Sequence, residues 1–400
     1  MQPACCIPVI VLSLALGACA EQTLPEFKNP VPVTVPSGQP AVGPRLTQGA
    51  DDAAILSWME RNDETATLRF SAYYDGSWQP PVEVITDEDM FVNWADLPAV
   101  TPIGTNALLA YWLSYTADAP YAYQVLTSHS DDYGASWSPA ISPHTDGTPT
   151  EHGFVSSYAA ESGTGLIWLD GRETPGAGMT LRGATLAPDG SLSDEAVLDD
   201  LVCDCCQTDI AITKSGPVAI YRDRTEDEVR EILVSRNVHG QWQPGVAVSD
   251  GGWVSAGCPV NGPSIDALGD FVVVAWFTGA NNKPMVKTAV STNAGKSFSK
   301  PVVISSKNSL GHVGVAVIDE HSYVISWMES DKKGTYDINL RGLTADGQVG
   351  RMTTVGRTSV ARTVPQMIRV GDKLVLAWTD EMNELSKVVS VKVPITGFYD

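Results

Sequence analysis

"FVVVAWFT", Phe271–Thr278, is a run of apolar residues closed by an aromatic and a threonine. It is too short for a buried helix and rich in β-branched valines, so it reads as a strand covered on both faces. The same construction recurs as "AAILSWME", "ALLAYWLS", "TGLIWLDG", "GPVAIYRD", "SYVISWME" and "KLVLAWTD". The aromatics of the seven copies are Trp58, Trp112, Trp168, Tyr221, Trp276, Trp327 and Trp378, spaced 54, 56, 53, 55, 51 and 51 residues apart. A fixed period of this length, filled with short β-type runs and turn residues, is the signature of a β-propeller blade. Helical periodicity is nearly absent; "RTEDEVREIL" alone has it, where a strand is due.

Each unit divides into four strands. In the fifth these are "NGPSIDAL", "FVVVAWF", "PMVKTAVS" and "KPVVIS". The seventh unit has "VPQMIRV", "KLVLAW" and "VVSVKVP", after which little sequence is left. The early "VPVTVP", Val31–Pro36, is the expected fourth strand, closing the ring and removing its open edges. The fold class expected is all-β, a seven-bladed propeller closed by an N-terminal strand, with six blades and an irregular end as the alternative.

Composition agrees. Of 400 residues, 43% are hydrophobic and 18% charged, with 35 Gly and 26 Pro, a globular and turn-rich balance. The net charge of -21 repels nucleic acid and anionic membrane surfaces and excludes both as partners of the body of the chain. The opening "MQPACCIPVIVLSLALGACAEQ" has an apolar run, Ile7 to Leu16, too short to span a bilayer and suited to a signal peptide. Leu16-Gly17-Ala18-Cys19 resembles the lipobox of bacterial lipoproteins. That resemblance implies a signal peptide over 1–18, lipid attachment at Cys19, and an extracytoplasmic chain anchored at the outer membrane, in the periplasm or on the cell surface. The membrane is then met only through the lipid. Residues 19–43 read as a Pro-rich tether holding the closing strand, and 44–400 as the propeller, expected to be a monomer.

Two turns carry a family resemblance. "SDDYGASW" fits the pattern Ser-x-Asp-x-Gly-x-x-Trp with Ser130, Asp132, Gly134 and Trp137. "STNAGKSF" fits it with Ser291, Asn293, Gly295 and Phe298. The acidic or amide side chain can cap the turn, the glycine supplies positive φ, and the aromatic packs beneath. The chain therefore resembles the Asp-box (BNR) propellers of the sialidase-like superfamily. In that family Asp boxes lie opposite the active site and mark fold alone. The resemblance also implies three arginines, a Tyr/Glu pair and an acid/base Asp, if the activity were sialidase. The Phe-Arg-Ile-Pro motif is absent; Arg45 in "GPRL" falls in its region, with Arg222, Arg224 and Arg362 as further arginines.

The turns leading into successive innermost strands place Asp96, His152, Cys205 and Cys206, Cys258, His312 and Arg362 around the channel mouth. "VCDCC" puts Cys203, Cys205 and Cys206 within four positions, with Cys205 and Cys258 at equivalent places on neighbouring blades. Three readings stay open: disulfides, as an even count in an oxidising compartment suggests; a soft-metal site for copper or zinc, built from Cys203, Cys205, Cys206 and Cys258 with His152 or His312; or a reactive thiol. A second constellation follows the strand aromatics. Asp170 and Asp223 are joined by Arg172, Arg222 and Arg224 in "WLDGRE" and "YRDRTEDE", a set suited to acid–base chemistry on an acidic glycan. A carboxylate at this place in five of seven repeats (Glu60, Asp170, Asp223, Glu329, Asp380) also fits a structural role at the strand end. The functions expected are binding of a ligand or soft metal at a Cys/His/Arg-rich channel mouth, or a glycan-acting hydrolase or lyase. The partner is then a glycan or a small anionic ligand.

Overall fold

The computed structural model describes residues 23–396 apart from 39, 50–53, 175, 194, 332 and 383. The signal segment and Cys19 lie outside these residues. Seven antiparallel sheets follow one another along the chain. In blade 3 the strands are His152–Ala160, Gly163–Asp170, Thr180–Leu186 and Ala196–Asp199, paired in chain order. Blade 5 has Ser264–Leu268, Phe271–Thr278, Met285–Ser291 and Val302–Ser305, each overlapping the expected run. The stretch with helical periodicity becomes a loop and the strand Ile232–Val238, because blade pairing overrides local propensity. Among the described residues the only helical turn is Ala280–Asn282.

The seventh blade joins both ends of the chain. Gln366–Val370, Lys373–Met382 and Leu385–Thr396 supply three strands, and Val31–Val33 pairs with the last of them, Val31 opposite Lys392 and Val33 opposite Ser390. Glu26–Phe27 extends the pairing to Thr396 and Ile395. The fold is thus the seven-bladed, N-terminally closed propeller.

The core lies between blades. Trp378, Leu376 and Leu374 of blade 7 pack on Val324, Met328 and Leu340 of blade 6, and the other neighbouring pairs bury equivalent layers. Burial of these strands on both faces explains their continuous apolar sequence. The aromatic of each second strand sits in this layer, and three indoles share one device. Trp58, Trp168 and Trp327 donate Nε1–H to the carboxylates of Glu60, Asp170 and Glu329 at 2.9, 2.8 and 2.8 Å. In these three blades the carboxylate two residues on is the partner that a buried indole N–H requires, whereas Asp380 of blade 7 takes Thr358 and Ser359 instead of Trp378.

At the far ends of the third strands, the Ser130 hydroxyl accepts from Gly134 N–H at 2.8 Å while Asp132 accepts from Ser136 N–H at 2.8 Å. Ser291 and Asn293 repeat this at Gly295 and Ser297 with 3.0 and 3.1 Å. Gly134 has φ 89° and faces Phe70 of blade 1, over which Trp137 stands edge-on at 6.2 Å. Gly295, with φ 76°, faces Val218 and Val234 of blade 4, where Phe298 also packs. Each turn therefore fastens its blade to the preceding one.

Candidate functional site: the channel mouth of blades 1 to 5

Antiparallel pairing puts the entries to the innermost strands and the links between second and third strands on one face, opposite those turns. The innermost strands enclose a channel cavity of about 300 Å³, whose wall includes Arg45, Tyr111, Asp209, Asp266, His312 and Arg369. At its mouth the innermost strands bulge: Val42/Arg45 in blade 1, Gly153/Ser156 in blade 3 and Gly311/Gly314 in blade 6. Phe154 and His312 take φ of 52° and 49° there, conformations that cost energy without glycine.

The bulge at blade 3 turns the Phe154 N–H onto Asp96 Oδ1 at 2.7 Å. Asp96 is buried, and its other oxygen lies 3.1 Å from the Tyr123 hydroxyl. The same hydroxyl lies 2.7 Å from Glu151 Oε1. One hydroxyl hydrogen cannot serve two carboxylates, so a second proton belongs to this trio. Burial pushes Asp96 up to about 8 and Glu151 up to about 7, with Glu151 adding charge repulsion at Asp96 and Asp204 at Glu151. The mouth therefore holds a carboxylic acid in the neutral range. Tyr123 and Glu151 carried no signal in the sequence; only Asp96 was placed here by its repeat position.

The blade 3 and 4 residues expected to act together fall into separate networks. Asp170 is fully buried and takes Arg172 Nε at 2.8 Å and Nη2 at 2.6 Å besides the Trp168 indole. Burial raises Asp170, but the Arg172 bonds, His152 and Trp168 outweigh it and hold the carboxyl below its ordinary value. Arg172 also reaches Glu195 at 3.0 Å. Arg222 is buried and spends its donors on the carbonyls of Asn261, Arg230 and Phe277 at 2.8–3.1 Å, with Trp253 stacked 5.0 Å away. This guanidinium ties the blade 4–5 loops together and offers nothing to a ligand. Arg224 pairs with Glu228 at 2.6 Å and Asp204 at 3.2 Å. Asp223 is raised to about 6 by burial and by the Asp199, Glu231 and Asp200 charges. Arg362 is exposed.

The two histidines do not join the sulfurs. His152 stacks on His144 with ring centroids 3.9 Å apart, and its Nε2 lies 3.3 Å from Asp146 Oδ1 and 3.5 Å from Asp170 Oδ1 without hydrogen-bond alignment. His144, Asp146 and His152 could together ligate a cation, yet Arg172 Nη2 already stands 3.5 Å from Asp146 and supplies that charge. His312 meets Trp94 edge-on at 5.8 Å, and burial lowers it to about 4. The metal set Cys203, Cys205, Cys206, Cys258, His152 and His312 is thus corrected: the histidines belong to other surroundings.

All four cysteines do converge. Cys205 and Cys258 form a disulfide, Cα atoms 6.3 Å apart, bridging the loops before blades 4 and 5. Cys203 Sγ lies 2.7 Å from Cys206 Sγ and 3.7 Å from Cys258 Sγ. Cys203 and Cys206 are buried free thiols, and Cys258 is exposed. The hydrogen bond with Cys206 brings Cys203 down to about 7 against burial, helped by Cys205 N–H, Arg222 and Arg230. Cys206 is pushed well up by burial and by Cys203. Soft metals require thiolates. With Cys258 bonded to Cys205, only two sulfurs qualify, so copper or zinc fits this cluster only after that bond is reduced.

Arg45 stands apart from these networks. It is half-buried in the channel wall and its guanidinium has no hydrogen bond or ion pair among the described residues, although Asp96 and Asp209 lie close enough to feel its charge.

No family model matches this chain, and no curated protein does. Among solved structures, a protein of unknown function from Dyadobacter fermentans DSM 18053 superposes with a TM-score of 0.52 at 12% identity, covering 93% of this chain and 99% of that one. Polysaccharide lyase Uly1 does so with 0.52 at 10% identity, over 88% and 90%. The NanB sialidase from Streptococcus pneumoniae gives 0.44 at 10%, over 94% and 95%. The likeness to the first two structures is one of fold alone.

Proposed function

We propose that this chain is an extracytoplasmic propeller, tethered through Cys19, that binds the anionic end of a glycan at its channel mouth. The observation that carries the reading is Arg45. A half-buried guanidinium without a bonded partner is a receptor for a carboxylate or sulfate. The fold relatives include a polysaccharide lyase, which agrees with a glycan ligand.

Cleavage of that glycan is the second reading, and the proton held by Asp96, Tyr123 and Glu151 favours it. Glu151, the half-exposed member, is the group that would hand it over. Calorimetric titration with neutral, uronate-containing and sialylated oligosaccharides tests the binding. Only the acidic ones should bind, and Arg45→Gln should lose about tenfold or more in affinity. Equal binding of neutral and acidic oligosaccharides, or an unaffected Arg45→Gln, would refute it. Released reducing or unsaturated ends, lost in Glu151→Gln, would establish cleavage.

A further inference from the structure

One disulfide staples two loops, and a staple needs two cysteines. This site has four. Two buried thiols lie beside the bond, with Cys203 in contact with both Cys206 and the bonded sulfur of Cys258. The order in space is Cys206, Cys203, Cys258, Cys205, which is the arrangement that thiol–disulfide exchange requires. Only the Cys258 end opens to solvent, Cys205 being half-exposed and the other two buried. Arg222 and Arg230 lie near enough to favour negative charge at Cys203.

We propose that Cys203, Cys205, Cys206 and Cys258 form a dithiol–disulfide exchange centre that passes an electron pair between the buried Cys203/Cys206 thiols and a disulfide on a partner molecule. In the first step the Cys203 thiolate attacks Cys258 Sγ. The Cys203–Cys258 bond forms, the Cys205–Cys258 bond breaks, and its electron pair leaves on Cys205, which takes up the proton that Cys203 gave up. In the second step Cys206 attacks Cys203 Sγ and releases Cys258, which takes up the Cys206 proton. Two thiols have been oxidised and one disulfide reduced, with no outside oxidant. The centre now presents Cys205 and Cys258 as a dithiol at the surface. The partner's disulfide is reduced there by the same two exchanges, and the Cys205–Cys258 bond returns.

Differential alkylation of the acid-quenched mature protein reads the pairing directly. Free thiols are labelled, the protein is reduced, the remaining thiols receive a second label, and fragmentation of the Cys203-to-Cys206 peptide locates each. In glutathione buffers of graded poise, the wild type should show both Cys205–Cys258 and Cys203–Cys206 pairings, in a ratio that relaxes to one value from either side. Cys206→Ser should accumulate the Cys203–Cys258 bond. Cys203→Ser should lose isomerisation and react with oxidised glutathione about tenfold more slowly. A wild type holding only Cys205–Cys258 at every poise overturns the proposal, because the bond is then a staple. Isolation with one copper or zinc on four reduced sulfurs overturns it in favour of a metal site. The wild-type arms need no variant to fold.

Discussion

The Tyr123 hydroxyl lies 2.7 Å from Glu151 Oε1, and that single hydrogen is contested by Asp96 on its other side at 3.1 Å. The contest has a thermodynamic sign. Burial raises Asp96 to about 8 and Glu151 to about 7, whereas the unfolded chain titrates both near pH 4. Between those values the native state keeps protons that the unfolded state has lost. Stability from this trio is therefore complete below about pH 4 and falls as pH rises toward 8, by at most about 1.4 kcal/mol per pH unit for one group. Urea midpoints at pH 5 and 8 should differ in the wild type and differ less in Asp96→Asn. An Asp96→Asn profile parallel to wild type would exclude the shared proton.

Asp170 is the centre of the blade 3 network, and its replacement should cost more than that of its repeat equivalents. Asp170→Ala strands the Trp168 N–H and removes two bonds from the Arg172 guanidinium, so a loss of about 3 kcal/mol is expected. Glu329→Ala removes a weaker set around the Trp327 indole and should cost about 1 kcal/mol. Equal losses in equilibrium unfolding would show that the arginine contributes nothing.

Gly134→Ala separates backbone strain from packing. At φ 89° a side chain is strained, and the new Cβ would come 2.6 Å from Phe70 Cζ of the neighbouring blade. Gly147, at φ 67°, has nothing within 4 Å of the same atom. Gly147→Ala should therefore cost about 1 kcal/mol and Gly134→Ala about 2 kcal/mol or more. Thermal melts of both variants check the difference; a Gly134→Ala melt no lower than that of Gly147→Ala removes the inter-blade contact.

The fold was legible because each blade repeats the same physical demand. A strand covered on both faces has to be apolar throughout, and the buried indoles of Trp58, Trp168 and Trp327 each need an acceptor two residues on. The closing strand was legible at Val31–Val33 because blade 7 was short of one. The site was legible only in its addresses. Repeat position put Asp96 and the cysteines at the mouth, but nothing local in "PYAYQV" tells that Tyr123 will join Asp96 to Glu151. Arg222 and Arg172 read as ligand-binding charges by type. Their neighbours decide otherwise: the carbonyls that hold Arg222 lie 8 to 55 residues along the chain, and nothing in "WLDGR" tells that Asp170 will be buried and take up the guanidinium of Arg172.

The ring is covalent through six blades and buckled at the seventh. Two short strands, Glu26–Phe27 and Val31–Val33, do there with hydrogen bonds what peptide bonds do elsewhere around the circumference. Side chains lock the buckle from the adjoining blade: Trp78 Nε1 donates to Ser390 Oγ at 3.2 Å and Lys392 Nζ to the Gly76 carbonyl at 3.1 Å. Heat, force or a circular permutation that moves the termini will find its weakest point at this seam. An opened seam bares the edge of Leu385–Thr396 and frees the Val31–Val33 strand at once, and with them the places at which a second molecule could thread into the first.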